Sequence, residues 1–525
     1  MVYTKKTPMT FILGVIMLAY GLAVRSGVLD ALIKQAGQTK HTDEMIYMAL
    51  TAGVIGIVVG LWQMIATAGE GQMDYYLSTV GGALFILFVA FFVKWWFAPE
   101  IKVYSKYVGK IDWMGGKYFH KIFGLNYIVL GIITGIAIVN TTGVPKWAEN
   151  GVRLSRLGLK SGVILLGTLY SFAELTKLLG VSIVLIGVFV LGSVWLTLWL
   201  GARKKIPNSM AGVLSAGMGV CGVSATVAAA PVVVAKSTEI AYTIGTILLW
   251  GVFMMFLFPL IGNALELSYA QFGAWAGTGI LNSAQVAGAA LSYQPDGIET
   301  LKVAEVFNIT RVLFLPIIVL WLAVWYVKRE STGEKVDIGK VIIGKFPLFV
   351  LGFVILFAVA STGVFYPAKH YKGKYFDNTK VKESKMMTDA QVAKLKSELN
   401  NVPEGSEHKG AMSRLIEGRK VMSEKDDAHI RTLVLKKKML SKDVRKILKK
   451  AHKAVRHTSK RVKKFRQLIV WFFAFGLIGL GMQITFSSIK QAGGQPLVIG
   501  TIVGTIKAAA SLAVIYFLTD FAFLS

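Results

Sequence analysis

Two stretches of the chain carry residues that could do chemistry. AGMGVCGVSATVAAA over 216–230 and AGTGILNSAQVAGAA over 276–290 write nearly the same small-residue phrase twice. With one gap, Ala216, Gly217, Gly219, Ser224, Ala225, Val227 and Ala228 align with Ala276, Gly277, Gly279, Ser283, Ala284, Val286 and Ala287. A glycine inside a helix costs about 1 kcal/mol relative to alanine, so each phrase permits a break. A helix that restarts after a break presents free N–H groups and the positive end of its dipole, which is the chemistry of anion binding. In the first phrase a restart near 219–222 would offer Gly222, the N–H groups of Val223, Ser224 and Ala225, and the hydroxyls of Ser224 and Thr226. In the second, Asn282, Ser283 and Gln285 would do the same. Arg311, with Asn308 and Thr310 beside it, is the leading cation; the competing reading is an interfacial arginine that snorkels to headgroups. Glu174 and Lys177 stand one turn apart and suit a local ion pair, with a coupling role for Glu174 as the second reading. Cys221 reads as a packing residue, and Lys490 and Lys507 as interfacial.

The elements that must hold these residues are membrane helices. Of 525 residues, 54% are hydrophobic and 17% charged, and the mean hydropathy is +0.57, which no ordinary water-soluble domain shows. A bilayer-spanning helix takes about 20 mostly apolar residues. Eleven such stretches are expected, near 9–24, 46–67, 77–97, 123–140, 160–178, 180–201, 241–263, 309–327, 343–366, 466–489 and 497–519. The first has Lys5 and Lys6 ahead of it but no small-x-small cleavage site before Arg25, so it reads as a retained helix rather than a signal peptide. The two phrases occupy additional apolar stretches. A broken helix in lipid is tolerated only where its unpaired backbone faces a cavity or a solute. One phrase alone would suit small-residue helix packing; two interrupted segments in corresponding positions point to the binding site of a secondary transporter. GTLYSFAELTKLLG at 167–180 also aligns without a gap on GMQITFSSIKQAGG at 481–494. Re-entrant hairpins entering from opposite faces would make the matched pairs inverted repeats, and hairpins are preferred here over spanning broken helices. The expected fold is therefore all-α and polytopic, with about eleven transmembrane helices, two glycine-broken or re-entrant segments and a basic helical insert.

The formal charge of +29 is concentrated between Lys369 and Arg466, where KKK at 436–438 and KRVKK at 460–464 stand. Helices are expected there from Thr388, where TDAQ has the form of a capping box, from Ser423, and from Ser441 into the next membrane helix. The segment reads as a solvated insert on the cytoplasmic side, with a clamp on anionic lipid headgroups as the sharper alternative; it lacks the interleaved aromatics and reading motifs of a nucleic-acid binder. Arg203, Lys204 and Lys205 fall on the opposite side in that orientation, against the positive-inside rule, so orientation stays open. The organisation expected is an N-terminal helix pair over 1–76, a core over 77–366, the insert over 367–465 and two last core helices over 466–525. One cysteine excludes an intramolecular disulfide.

The run GVRLSRLGLKSGVILLGTLYSFAEL, then AGMGVCGVSATVAAAPVV, FGAWAGTGILNSAQVAGAA, ITRVLFLPII and LGMQITFSSIKQAGGQPL resembles the YeiH-type family of sulfate exporters in the order and spacing of five motifs. The resemblance covers about 77–366 and 467–521; the first two helices and the insert look like additions. It implies a prokaryotic inner-membrane secondary transporter, distantly similar in plan to bile-acid symporters and sodium/proton antiporters, in which a core moves against a scaffold. The family label supports an anionic solute more than sulfate itself. One departure matters: relatives commonly write IHDTAQV in the second phrase, whereas Ile280, Leu281, Asn282, Ser283, Ala284, Gln285 and Val286 stand here. Leucine and asparagine carry no protons, so coupling is either lost or moved elsewhere.

No P-loop, HExxH or GxSxG is present, and all seven histidines lie outside the two phrases, so no enzyme is expected. The reading is a secondary transporter for a small inorganic or sulfonate-like anion, with no resident cofactor and with Na+ or H+ coupling left open. An anion channel and a membrane sensor signalling through the insert are the alternatives. A homodimer remains open.

Overall fold

Asn126, Ser268, Asn282, Ser406 and Ser441 each stand one residue ahead of a helix and accept a hydrogen bond from its first turn, so side-chain caps fix many of the helix starts. A computed structural model describes residues 7–65, 72–111, 117–122, 125–170, 172–294, 297–330, 348–362, 376–379, 381–435, 439–457, 460–487 and 494–518. The chain is an all-α polytopic membrane protein; among the described residues the exception is a two-residue antiparallel ladder, Lys110–Ile111 with Lys117–Tyr118.

The principal helices are α1 (Met9–Arg25), α2 (Thr42–Ile65), α3 (Gln72–Phe92), α4 (Tyr127–Thr141), α5 (Glu149–Leu166), α6 (Phe172–Arg203), α7 (Asn208–Gly219), α8 (Val223–Ala229), α9 (Ser237–Ala264), α10 (Tyr269–Gly279), α11 (Ser283–Tyr293), α12 (Glu299–Leu313), α13 (Leu315–Glu330), α14 (Leu348–Ser361), α15 (Asp389–Glu398), α16 (Glu407–Gly418), α17 (Glu424–Leu435), α18 (Lys442–Ala454), α19 (Lys460–Gly481) and α20 (Gly494–Ala513). Six described stretches are long and apolar enough to span a bilayer: Thr42–Ile65, Tyr75–Val108, Leu178–Arg203, Ser237–Ala264, Glu299–Glu330 and Gly494–Phe517. Met9–Arg25, Tyr127–Thr141, Leu348–Ser361 and Phe465–Gly481 are shorter apolar helices.

Two expected spans are corrected. The stretch 160–178 is not one helix: α5 ends at Leu166, Gly167–Leu169 forms a 3-10 turn, and Tyr170 is extended. The stretch 309–327 is the later part of a longer apolar run that begins at Glu299, which places Arg311 well inside it.

Contacts divide the chain into two units. The larger comprises Met1–Ile164, Ser182–Val350 and Ile469–Leu512. Within it α1 and α2 pack through glycine faces: a Cβ at Gly56 would lie 2.6 Å from Gly14 Cα, and one at Gly53 would lie 2.6 Å from the Leu18 nitrogen, which is the close backbone approach that small residues allow in membranes. Glu44 of α2 meets Lys94 at 2.5 Å and accepts from the Trp471 indole at 2.5 Å, so the N-terminal pair is joined to the core rather than appended loosely.

The smaller unit comprises Leu165–Val181, Leu351–Leu468 and Ala513–Ser525. Its helices α15 to α18 enclose a core that includes Leu395, Met412, Leu415, Ile430, Leu433 and Leu448. Thr388 and Ser423 start helices as expected: Gln391 accepts from the Thr388 N–H at 3.3 Å, and Ser423 from the Asp426 N–H at 3.1 Å. The helix from Ser441 does not run on into the membrane; it ends at Ala454, and α19 begins at Lys460. A fourth helix, α16, starts at the unanticipated cap Ser406. Asp377 and Arg456 exchange two backbone hydrogen bonds of 3.0 Å, closing the insert at a neck.

Candidate functional site

Both glycine phrases break in their middles and fold back. The first turns at Val220–Gly222, with Gly222 at φ +80° and ψ −124°, a conformation open to glycine. Its arms then run antiparallel: a Cβ at Gly212 would lie 2.8 Å from Val233 Cγ1, and one at Gly217 would lie 2.5 Å from Thr226 Oγ1. The second turns through extended Ile280 to Asn282. Its arms are joined by Phe272 and Tyr293, whose rings stack at 3.9 Å, while the Tyr293 hydroxyl donates to the Leu267 carbonyl at 2.6 Å. The two hairpins meet at their tips, where a Cβ at Gly222 would lie 3.1 Å from Asn282 Cα.

A cation is held at the carbonyl end of each first arm. Lys507 of α20, 3% exposed, donates its ammonium to the carbonyls of Met218 at 2.9 Å and Gly219 at 3.1 Å. Arg311 of α12, fully buried, donates to the Ile280 carbonyl and to Asn308 Oδ1 at 3.0 Å. These carbonyls are where half-helix dipoles present partial negative charge. Arg311 therefore turns inward rather than snorkelling, and Lys507 is not interfacial. Asn308 in turn donates to Glu305 Oε2 at 3.0 Å, and Glu305 is 1% exposed. Glu305, Asn308 and Arg311 lie three residues apart, on successive turns of one helix.

The restarting ends are less alike than their sequences. At the first, the Ala225 N–H is directed to the Cys221 sulfur, the Thr226 hydroxyl bonds back to the Gly222 carbonyl at 3.2 Å, and Ser224 is exposed. Val223 and Ser224 open α8 itself. At the second, Asn282 caps α11 by accepting from the Ala284 N–H at 3.0 Å, so its side-chain oxygen is engaged within the hairpin. The Ser283 hydroxyl and Gln285 Oε1 are buried without a hydrogen-bond partner among the described residues, as are the hydroxyls of Thr243 and Thr246 on α9 and the Arg311 Nε. A buried polar atom left without a partner costs about 1–3 kcal/mol, so this many around two hairpins is a binding surface more readily than a packed core.

The expected group is thus brought together in part. Gly222, Asn282, Ser283, Gln285, Arg311 and Asn308 lie at or beside the crossing; Ser224 and Thr226 face elsewhere. The side chains of Glu174 and Lys177, and all of Lys490, lie outside the described residues. Glu305 and Lys507 were not anticipated as site residues. The signal for Lys507 is an ionisable side chain alone in an apolar helix, and that for Glu305 is a buried acid in a helix that also carries Glu299, Lys302 and Arg311; in a membrane such residues mark function by default.

A model of the family described as Conserved hypothetical protein 698 matches residues 82–378. A UPF0324 membrane protein of Nitratidesulfovibrio vulgaris is 34% identical over 451 residues, covering 85% of this chain and 96% of that protein. A second UPF0324 membrane protein of the same organism is 40% identical over 263 residues, covering 49% of this chain and 72% of that one. UPF0324 membrane protein RB9488 of Rhodopirellula baltica is 32% identical over 263 residues, covering 47% and 46%. No solved structure matches the chain.

Proposed function

The chain belongs to the Conserved hypothetical protein 698 family of multi-pass bacterial membrane proteins, and from that premise we propose that it is an inner-membrane secondary transporter for a small inorganic or sulfonate-like anion. The observation that carries the reading is the meeting of two helical hairpins at Gly222 and Asn282, flanked by the buried cations Arg311 and Lys507. Among the described residues that touch the hairpin tips or pair with those that do, two basic side chains, Arg311 and Lys507, stand against one acid, Glu305, in buried surroundings. Burying an uncompensated charge costs several kcal/mol even after relaxation, and carbonyl dipoles offset only part of it. An anion at the crossing completes the neutralisation, with the Ser283, Thr243 and Thr246 hydroxyls as donors.

Tip-to-tip hairpins are what two inverted repeats produce when each sends a broken segment to the midplane, the arrangement of alternating-access carriers. Glu305 supplies the titratable group that Leu281 and Asn282 do not. Through Asn308 its carboxylate draws on Arg311, so carboxylate and solute compete for one cation. Solute binding therefore favours protonated Glu305, and protonation favours solute: anion and proton move together.

Purified protein in proteoliposomes tests this. Sulfate, sulfite, thiosulfate or a sulfonate is expected to accumulate under an imposed pH gradient, with affinity rising as pH falls. Glu305→Gln, which mimics the protonated acid, is expected to keep anion binding while losing its pH dependence. Absence of anion flux under every ion gradient would overturn the reading, and unitary currents in planar bilayers would replace it with a channel.

A further inference from the structure

The insert holds a side-chain cluster outside the candidate anion site. Asp427, in the first turn of α17, faces two histidines with its two oxygens. His452 Nδ1, in the last turn of α18, lies 2.7 Å from Oδ1, and His457 Nε2, in the neck, lies 2.9 Å from Oδ2. One donor atom from each residue falls within 4.8 Å of the others, and the imidazole centroids are 4.3 Å apart. From this geometry we infer that Asp427, His452 and His457 form a site for a divalent transition-metal cation of the zinc class.

The donor set decides the metal. Two imidazole nitrogens and one carboxylate oxygen match zinc, cobalt or nickel, whereas magnesium and calcium take oxygen ligands. A tetrahedral ion with bonds of about 2.1 Å sets its ligand atoms roughly 3.4 Å apart, so each present hydrogen bond need open by well under 1 Å. Each neutral imidazole takes the tautomer whose single proton lies on the nitrogen opposite Asp427, so that the nitrogen now facing the carboxylate offers its lone pair to the ion. Asp427 is buried while His452 and His457 are partly exposed, leaving the fourth position open to water. Neighbouring groups are otherwise engaged. Asp426 accepts from Arg414 Nε at 2.9 Å and from Ser423 at 2.7 Å, and His429 lies 3.1 Å from His408 and 2.8 Å from Glu407.

The position gives the site its consequence. His457 follows Arg456, whose backbone pairs with Asp377, and α19 begins at Lys460. A bound ion would tie α17 to the neck three residues before that helix.

Titration of the chelator-stripped full chain in detergent with zinc chloride, read by calorimetry, tests the site. One high-affinity zinc per chain is expected, with no heat from magnesium or calcium. His457→Gln, at a partly exposed position, is expected to weaken zinc at least tenfold with an unchanged melting temperature in chelator, and Asp427→Asn to weaken it as much. The pair His408→Gln with His429→Gln is expected to leave the affinity unchanged. No stoichiometric zinc binding, or binding that survives His457→Gln and Asp427→Asn alike, would overturn the inference. If Asp427→Asn fails to fold, His457→Gln alone decides.

Discussion

Lys507 and Arg311 each hold a half-helix end by its carbonyls, and that shared task sets what their loss should do. Lys507→Met keeps length and apolar stem but leaves the Met218 and Gly219 carbonyls unpaired. Charged hydrogen bonds contribute about 1.5–3 kcal/mol, so a destabilisation of roughly 2 kcal/mol is expected in detergent melts. Anion affinity by calorimetry should fall at least tenfold; an unchanged affinity would remove Lys507 from the site. At this scale the sequence was uneven. Arg311 was legible because it follows the second phrase. Lys507 was not, because no motif surrounds it, and Glu305, although nearer the second phrase than Arg311, stands outside the motif ITRVLFLPII that marks Arg311. Ser224 and Ser283 align with each other, yet one is exposed and the other buries its hydroxyl with no partner among the described residues. Alignment reports residue type, and three-dimensional packing decides which copy faces the crossing.

Among the elements, the hairpins depend on a turn that only glycine makes cheaply. Gly222→Ala places a side chain at φ +80° and 3.1 Å from Asn282 Cα. Strained backbone of this kind costs of order 1–3 kcal/mol, so a lower melting temperature and a displaced second tip are expected; a variant with wild-type stability and affinity would show that the tips do not bear on each other. The breaks themselves were legible, since glycines cluster mid-stretch in both phrases. The break at 167–170 was not, because hydropathy is blind to a turn made within apolar residues. Its cause is tertiary: a Cβ at Gly167 would lie 2.5 Å from the Phe353 carbonyl oxygen, a contact that no local pattern announces. The end of α18 was missed for a related reason. Val455 leaves helical geometry just before Arg456 pairs with Asp377, a bond spanning the whole insert.

For the whole molecule, the insert's separateness was written in its charge, while its closed core and neck were not, since both arise from residues far apart in sequence. Because Asp377 and Arg456 are directly paired, removal of the insert leaves ends that a short flexible linker joins. Deleting 378–455 with such a linker is expected to leave anion flux in proteoliposomes near the full-length value while abolishing zinc binding. Loss of flux from a folded, monodisperse deletion would show that transport needs the insert. The relative that matches 85% of this chain reaches well beyond residues 82–378, so part of what looked like additions to a shared core is itself shared. The chain also carries a built-in clock. Its only thiol, Cys221, sits in the turn of the first hairpin, one residue before Gly222, and is 6% exposed. Maleimide alkylation of the unmodified protein, with no competing cysteine, would time each opening of the crossing as a reaction half-life, and a bound anion would be read as its lengthening.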